Sequence, residues 1–256
     1  MHIWHSVRLE CTIEEDDPLV EETTTYLRNA YGEDSITGEA ASSVEEQFDM
    51  KRIQEALRKG YPNSEEEGDK PDHLKNFRSE TAELLAKKLL EEIVGVQFPV
   101  HAQATKGNPN QPVLGFDGAG FIQIDSEYFL ALMEVKGTED SPSSVADTLA
   151  SECLDVPESE GKLSSALSML ATRLEGTEFH PITLRLLEKL GGGGIEMVLA
   201  PVVVKGTSEP SIDDLDPIVE VIDGIEPHKA RGMSVALGVS LSEFAEFVTA
   251  QARTSN

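Results

Sequence analysis

The sequence predicts a mixed α/β fold in which a central mixed sheet is flanked by helices. Three observations predict it: a helical pattern ahead of residue 94, two strand-like runs joined by a short turn at 125–127, and a late apolar run between glycines. The predicted order, a helix, three strands, helices and a further strand, is typical of an α/β sandwich. With 256 residues, the chain is long enough to bury a substantial core.

The first 72 residues are predicted to form a small α+β extension that ends in an acidic linker. We expect a strand at 4–13 and helices at 19–31 and 44–59. Residues 60–72 combine turn formers with acids and have almost no apolar side chain, as loops do. The sequence therefore predicts two parts, 1–72 and 73–256.

The second part contains the main elements of the predicted sheet. A helix is expected at 74–93, followed by apolar runs at 94–104, 113–124 and 128–136, of which the last two form a hairpin. The remaining elements are helices at 143–154, 163–174 and 182–190, strands at 195–205 and 233–240, and a final helix at 241–253. Ser240 or Ser242 is a suitable N-cap for that last helix.

The chain is strongly acidic, with 47 Asp and Glu residues against 21 Lys and Arg and a formal net charge of −26. Two interpretations compete: a protein of a salt-rich cytoplasm, and a protein that binds a basic partner. The first is favoured because the acids are spread along the sequence rather than gathered in a tail. Such a charge also opposes unaided binding to naked DNA, whose phosphates are held by Lys and Arg.

The cysteine content and the lack of long apolar segments predict a soluble protein of the cytoplasm. Cys11 and Cys153 are far apart and have no metal-ligand spacing, which indicates a reducing compartment and disfavours a disulfide scaffold or a zinc site. The N-terminus lacks the pattern of a signal peptide, and no apolar run approaches the roughly 18 residues of a membrane span.

The residues that can carry chemistry are concentrated in the predicted hairpin. Glu134 and Lys136 project from the same side of one strand, because strand side chains alternate between faces. Asp117 follows Gly115 and Phe116 on the neighbouring strand, and a turn at 125–127 brings it across the ladder from Glu134. Two carboxylates and an ammonium group therefore converge at one end of the strands.

This set of residues suits the hydrolysis of a phosphodiester. Carboxylate oxygens bind Mg²⁺, or Mn²⁺, with few protein contacts and leave waters on the metal. The metal polarises the phosphate and acidifies a bound water, while Lys136 orients that water or stabilises charge that develops in the transition state. The competing interpretation is a structural hairpin with a charged end, because Glu-x-Lys alone carries little information.

The helix predicted at 74–93 supplies a further acidic candidate. On a helical wheel that starts at Ala82, the apolar residues of the helix cluster around the origin. Glu83 falls at about 100°, on the edge of this apolar face, whereas Glu80 falls at about 160°, toward solvent. We predict Glu83 as a third carboxylate and metal ligand, with Glu80 in reserve. The alternative for Glu83 is a side chain whose stem packs on the apolar face while its head reaches water.

In order and spacing, Glu83, Asp117, Glu134 and Lys136 resemble the motif of the PD-(D/E)xK, or restriction-endonuclease-like, superfamily. More narrowly, the turn at 115–118, the Glu-x-Lys strand and the late apolar strand are similar to HamA, the nuclease subunit of the Hachiman anti-phage system. This resemblance spans about residues 74–250. The chain departs from the name-giving motif in one respect, since Phe116 and not a proline precedes Asp117.

The resemblance implies a restriction-endonuclease-like fold and a Mg²⁺-dependent DNA endonuclease that acts in antiviral defence. It assigns Asp117, Glu134, Lys136 and Glu83 to catalysis, and the three carboxylates among them to the metal. It also implies a partner helicase, HamB-like, which senses aberrant DNA and supplies much of the grip that an acidic chain lacks. A second hypothesis is a non-catalytic acidic binding or regulatory module on the same fold, motivated by the charge and by the unassigned role of residues 1–72.

Overall fold

The computed structural model describes residues 2–33, 49–68, 75–101, 116–139, 146–152, 160–221 and 228–254. These residues form a six-stranded mixed sheet with helices on both faces, which confirms the predicted mixed α/β architecture. The strands are β1 (Ile3–Arg8), β2 (Val96–Gln97), β3 (Gly118–Ile124), β4 (Glu127–Thr138), β5 (Met197–Lys205) and β6 (Lys229–Ala236). Their order across the sheet is β1-β6-β5-β4-β3-β2. The pairs from β1 to β4 are parallel, and β3 and β2 are added antiparallel.

The helices lie in two layers. In chain order they are α1 (Pro18–Ala30), α2 (Met50–Arg58), α3 (Ser64–Glu67), α4 (Asn76–Leu89), α5 (146–152), α6 (Glu160–Arg173), α7 (His180–Gly191), α8 (Asp216–Val221) and α9 (Leu241–Thr254). Helices α1, α4 and α9 pack against one another over one face of the sheet, while α5, α6 and α7 cover the other face. None of the helices described here combines the length and the apolar character that a membrane crossing requires.

The middle of the sheet follows from the apolar sequence of β5. All nine of its residues are buried, as expected for a parallel strand that is covered on both faces. Along β4 the side chains alternate: Met133 and Val135 pack toward the α4 layer, whereas Leu130 and Leu132 pack toward the α5 layer. The side chains of the even-numbered residues that follow Leu132 therefore project toward α5.

The β3–β4 hairpin closes through a two-residue turn of Asp125 and Ser126. Both residues have positive φ angles, 50° and 68°, and the strands pair from Ile124 and Glu127 onward. Positive φ at both central positions is the geometry that matches the twist of a tight hairpin. The hairpin is therefore confirmed, with its turn one residue shorter than the predicted 125–127.

Several predicted boundaries are wrong. The first strand ends at Arg8 rather than at residue 13, because the chain beyond it turns away and is held by bonds from Thr12 to the Asp17 carboxylate. Among residues 94–101, the described part of the predicted apolar run, only the two residues of β2 form a strand, and the loop predicted at 60–72 contains α3. The last strand begins at Lys229, four residues earlier than predicted, since it extends alongside β1 and β5.

The N-terminal region shares the sheet with the rest of the chain. Strand β1 pairs in parallel with β6, and α1 packs on α4 and α9. The boundary at residue 72 stays a prediction. Parts of several predicted elements lie outside the described residues: 44–48, 69–74, 102–104, 113–115, 143–145 and 153–154, with Gly115 and Cys153 among them.

Candidate active site

The register of the hairpin places Asp117 beside Glu134. Strand β3 begins at Gly118, which pairs with Met133, so Asp117 lies opposite the next residue of β4. The backbone N–H of Val135 donates a hydrogen bond to Oδ2 of Asp117 at 2.7 Å. The Asp117 side chain, just before the first residue of β3, thus accepts a hydrogen bond from a backbone N–H of β4. The predicted approach of Asp117 to Glu134 is confirmed, and the catalytic role of the two residues stays a prediction.

The two carboxyl groups interact strongly. Burial, with the neighbouring charges of Asp117 and Glu152, raises the pKa of Glu134 to about 8. Burial also raises the pKa of Asp117, although the Val135 N–H and the ammonium groups of Lys136 and Lys87 favour its charged form. The two groups therefore hold a proton at neutral pH, as paired carboxyls at close range do.

Lys136 lies on the same side of β4 as Glu134 and forms an ion pair with a residue of α5. Its Nζ is 2.8 Å from Oε2 of Glu152. Burial alone would lower the pKa of Lys136, but the contact with Glu152 and the fields of Asp117 and Glu134 outweigh it and raise the pKa. Lys136 is therefore fully charged at neutral pH.

A cavity of about 380 Å³ opens between α4 and the end of the hairpin. Arg78, Ser79, Ala82 and Glu83 form its helical wall, and Asp117, Val135, Lys136 and Gly137 form the wall on the sheet side. Glu83 is half-buried, which agrees with its predicted place on the edge of the apolar face. Among the described residues, Glu83 lines this cavity together with Asp117 and Lys136, whereas Glu134 is not one of the residues that form its walls. Its role as a metal ligand stays a prediction.

The expectation that Glu80 points to solvent is wrong. Glu80 is only 2% exposed, and its carboxylate accepts a hydrogen bond from the hydroxyl of Tyr31, just beyond the end of α1. A single wheel assumes one buried face, whereas α4 is covered by the sheet on one side and by α1 and α9 on others. The Glu80 side chain therefore joins α4 to the C-terminal end of α1 through the Tyr31 hydroxyl.

Two charged residues near the site were not predicted from the sequence. Lys87 is 1% exposed, and its charge favours the ionised form of Asp117. Its spacing of four from Glu83 would have placed it on the same helical face. Glu152, in contrast, lies at the end of a predicted helix with no local pattern that marks it, because only the tertiary fold brings it to Lys136.

The carboxylate pair fits a hard divalent cation. Such an ion would offset the burial and the nearby negative charge that raise the two pKa values, and Mg²⁺ is commonly held by one or two carboxylates while it retains several waters. In the part of the chain that the structure describes, no cluster of three or more His, Cys, Asp or Glu side chains is arranged to hold a metal. The fit therefore rests on Asp117 and Glu134 and not on a preformed three-ligand cage.

Comparison with models of known protein families gives a match to one family. The model of the HamA family matches residues 4–192, well over half of the sequence. The chain belongs to the HamA family. Membership of the HamA family makes it a component of a Hachiman anti-phage defence system. A search of curated proteins found no match.

The HamA match corrects the extent of the predicted resemblance. It begins at residue 4 rather than near 74, so β1, α1 and α2 belong to the family pattern. It ends at residue 192, before β5, so the late apolar strand lies outside it. Asp117, Glu134 and Lys136, together with Glu83 and Glu152, all fall within the matched segment.

Proposed function

We propose that this HamA-family chain is a metal-dependent DNA endonuclease of the PD-(D/E)xK type. The observation that carries the proposal is the register that sets Asp117 beside Glu134, with Lys136 two residues further along the same strand. A half-buried carboxylate pair next to an ammonium group can bind a divalent cation and a scissile phosphate together. We infer that the surrounding sheet and helices are of the restriction-endonuclease-like kind.

Asp117 and Glu134 would hold Mg²⁺, or Mn²⁺. A cation held there would supply polarisation of the phosphate and acidification of a water molecule. Asp117 is fixed in place by the Val135 N–H, so its carboxylate needs little reorganisation to act as a ligand. Glu83, on the helical wall of the cavity, would bind a water of the metal's shell or act as a third ligand.

Lys136 would act on the reacting groups themselves. Its ammonium group is kept charged by Glu152 and by the carboxylate pair. In that state it can orient the attacking water by hydrogen bonding, or stabilise the negative charge that develops on the phosphate. Its position on the same side of β4 as Glu134 allows it to contact a phosphate held at that carboxylate.

With a net charge of −26, the chain is expected to need a partner in order to bind DNA. A protein gains affinity for DNA mainly when its Lys and Arg side chains displace the counterions of the phosphates, and this chain has only 21 such residues. We therefore propose that a partner helicase, HamB-like, holds the DNA and controls access to the site. Cleavage would then serve as the effector step of the defence system.

The test is cleavage of plasmid DNA with Mg²⁺ or Mn²⁺, by the chain alone and together with a HamB-like helicase. We expect wild type to cut under at least one condition, and Glu134→Gln or Lys136→Met to slow cutting by on the order of a hundredfold or more. Glu127→Gln is the matched control, since Glu127 is an exposed carboxylate on the same strand. Equal DNA integrity with wild type and both site variants under every condition would refute the proposal.

The second candidate function is a non-catalytic acidic binding or regulatory module. The acidic excess of the chain favours it, because a surface of one sign suits recognition of a basic partner. On this hypothesis Asp117 and Glu134 only tie β3 to β4, and replacement of Asp117 by alanine would leave the affinity for divalent metals unchanged.

A further inference from the structure

Helix α5 is anchored beneath the end of β4. Leu149 is fully buried and Ala150 is 5% exposed, and both belong to the core cluster that contains Leu130 and Leu132 of β4. Glu152 follows Leu149 by three residues, so it lies on the same side of the helix. The packing of Leu149 therefore determines where the Glu152 carboxylate lies relative to the strand.

Glu152 meets Lys136 as its ion-pair partner. The distance from Oε2 to Nζ is 2.8 Å, and among the described residues this buried oxygen has no hydrogen-bond partner besides its ion-pair contact with Lys136. The two side chains are 38% and 27% exposed, so the pair is less screened by solvent than the Lys189–Glu127 pair, whose side chains are 52% and 56% exposed. The Asp117 carboxylate, by contrast, is engaged by the Val135 N–H.

A lysine at a nuclease site needs such a partner for a physical reason. Its four-carbon stem has many rotamers, and its ammonium group is attracted to any nearby carboxylate. Without a dedicated partner, the ammonium of Lys136 would fall onto Asp117 or Glu134 and compete there with a cation. A carboxylate on a separate, packed helix holds the ammonium close to the pair and leaves the oxygens of the pair accessible.

We propose that Glu152 is a positioning residue that holds the Lys136 ammonium beside the Asp117–Glu134 pair. This role rests on the proposed nuclease function, because it supplies the lysine to the reaction in a fixed place. Glu152 itself contacts neither the phosphate nor the metal. The sequence around Glu152 carries no motif, so the assignment depends on the contact across α5 and β4.

The first arm of the test does not need DNA cleavage. The metal-free protein is treated at one fixed pH with an amine-acylating ester, and the acylation rate of each lysine is measured by mass spectrometry. We expect Glu152→Gln to raise the rate at Lys136 several-fold and to leave Lys189 unchanged. Glu127→Gln, which breaks the exposed pair, should do the reverse. An unchanged rate at Lys136 in Glu152→Gln overturns the proposal.

The second arm measures kcat and KM for DNA in the presence of metal. We expect Glu152→Gln to lower kcat between about ten- and a hundredfold with KM within twofold of wild type, since a misplaced group slows the chemical step. Glu152→Asp, which restores the charge on a shorter stem, should recover part of the loss. Wild-type kcat in Glu152→Gln, or no recovery in Glu152→Asp, overturns the proposal.

The two arms separate the possible failures. If wild type cleaves no DNA in any condition, the proposed function fails, while the acylation rates still decide whether Glu152 holds Lys136. If Glu152→Gln abolishes the binding of Mn²⁺ measured by calorimetry, Glu152 is a metal ligand and the positioning role is overturned. Glu152→Gln keeps the size of a side chain that is 38% exposed, so folding is expected to be retained, and circular dichroism checks this.

Discussion

Two half-buried carboxylates at the open end of the β3–β4 hairpin dominate the chemistry of this chain. Asp117 is fixed by one backbone hydrogen bond, and Glu134 is raised in pKa by burial and by the charge of Asp117. Such a pair is unfavourable for the fold when no cation is bound, because one of the two groups must keep its proton or repel the other. Unfavourable pairs of this kind are concentrated at functional sites.

The first prediction concerns the pH dependence of stability without metal. Folded Glu134 keeps its proton up to about pH 8, whereas the unfolded chain releases it near the ordinary value of 4.5. The folded state then binds more protons than the unfolded state between these values, so Glu134 lowers the stability progressively as the pH rises through this window. We expect Glu134→Gln to be more stable than wild type at pH 9, by about 1 kcal/mol or more, with little difference near pH 4.5.

Urea unfolding in the presence of a chelator at pH 4.5 and pH 9 measures this effect. Glu127→Gln serves as the control, because it removes an exposed carboxylate from the same strand and lacks the buried neighbour. Comparison of variants at the same pH cancels the contribution of the total charge. A stability difference between Glu134→Gln and wild type that is the same at both pH values would show that Glu134 is not perturbed in the folded chain.

At the level of elements, the close packing of β2 against β3 constrains the first residues of β3, which follow Asp117. A side chain at Gly120 would place its Cβ 2.3 Å from the carbonyl oxygen of Gln97 and 3.0 Å from the Phe98 ring. Real Cβ atoms do not approach a backbone oxygen this closely, so glycine is required by packing and not by an unusual φ. The lack of a side chain at Gly120 therefore allows β2 and Phe98 to pack closely on β3 at the edge of the sheet.

The second prediction is that Gly120→Ala destabilises the fold by about 1–3 kcal/mol, because β2 must shift away from β3. Gly161→Ala is the matched control, since a Cβ at Gly161 in α6 meets nothing within 4 Å and alanine is the better helix former. Urea denaturation of both variants gives the change in unfolding free energy. Equal stability of Gly120→Ala and wild type would mean that β2 is not packed as described.

The sequence predicted those elements whose signals are local. The alternation in β4, the apolar run of β5 and the turn residues Asp125 and Ser126 are each determined by neighbours along the chain. The parallel pairing of β1 with β6 joins residues more than 220 positions apart, and no local pattern encodes it. The same reason explains the site: Asp117, Glu134 and Lys136 belong to one hairpin and were found, whereas Glu152 reaches Lys136 only through tertiary packing.

At the level of the whole molecule, the net charge of −26 produces repulsion between acids over much of the surface. Favourable contacts such as Arg8–Glu209 and Lys189–Glu127 involve exposed side chains, and pairs of this kind contribute little. When salt is added, the folded state should therefore gain more stability from the screening of the repulsion than it loses from the weakening of the ion pairs. Both interpretations of the charge, a salt-rich cytoplasm and a basic partner, are compatible with this balance.

The third prediction is a rise of the Tm by several degrees when NaCl is raised from about 0.1 M to about 1 M, where the screening length falls from about 10 Å to about 3 Å. Differential scanning fluorimetry without metal measures it. Glu134→Gln should show the same salt response as wild type, since the effect belongs to charges spread over the surface. A Tm that falls with salt would indicate that attractive ion pairs dominate.

Calorimetric titration of Mn²⁺ and Mg²⁺ into the metal-free chain tests the central claim most directly, because it needs neither DNA nor a partner. Wild type and Glu127→Gln are predicted to bind the metal with the same affinity. Asp117→Asn, which keeps an acceptor for the Val135 N–H, is predicted to lose at least about tenfold in affinity, as is Glu134→Gln. Metal affinity that is unchanged in both site variants would contradict the claim that the Asp117–Glu134 pair is a divalent-cation site.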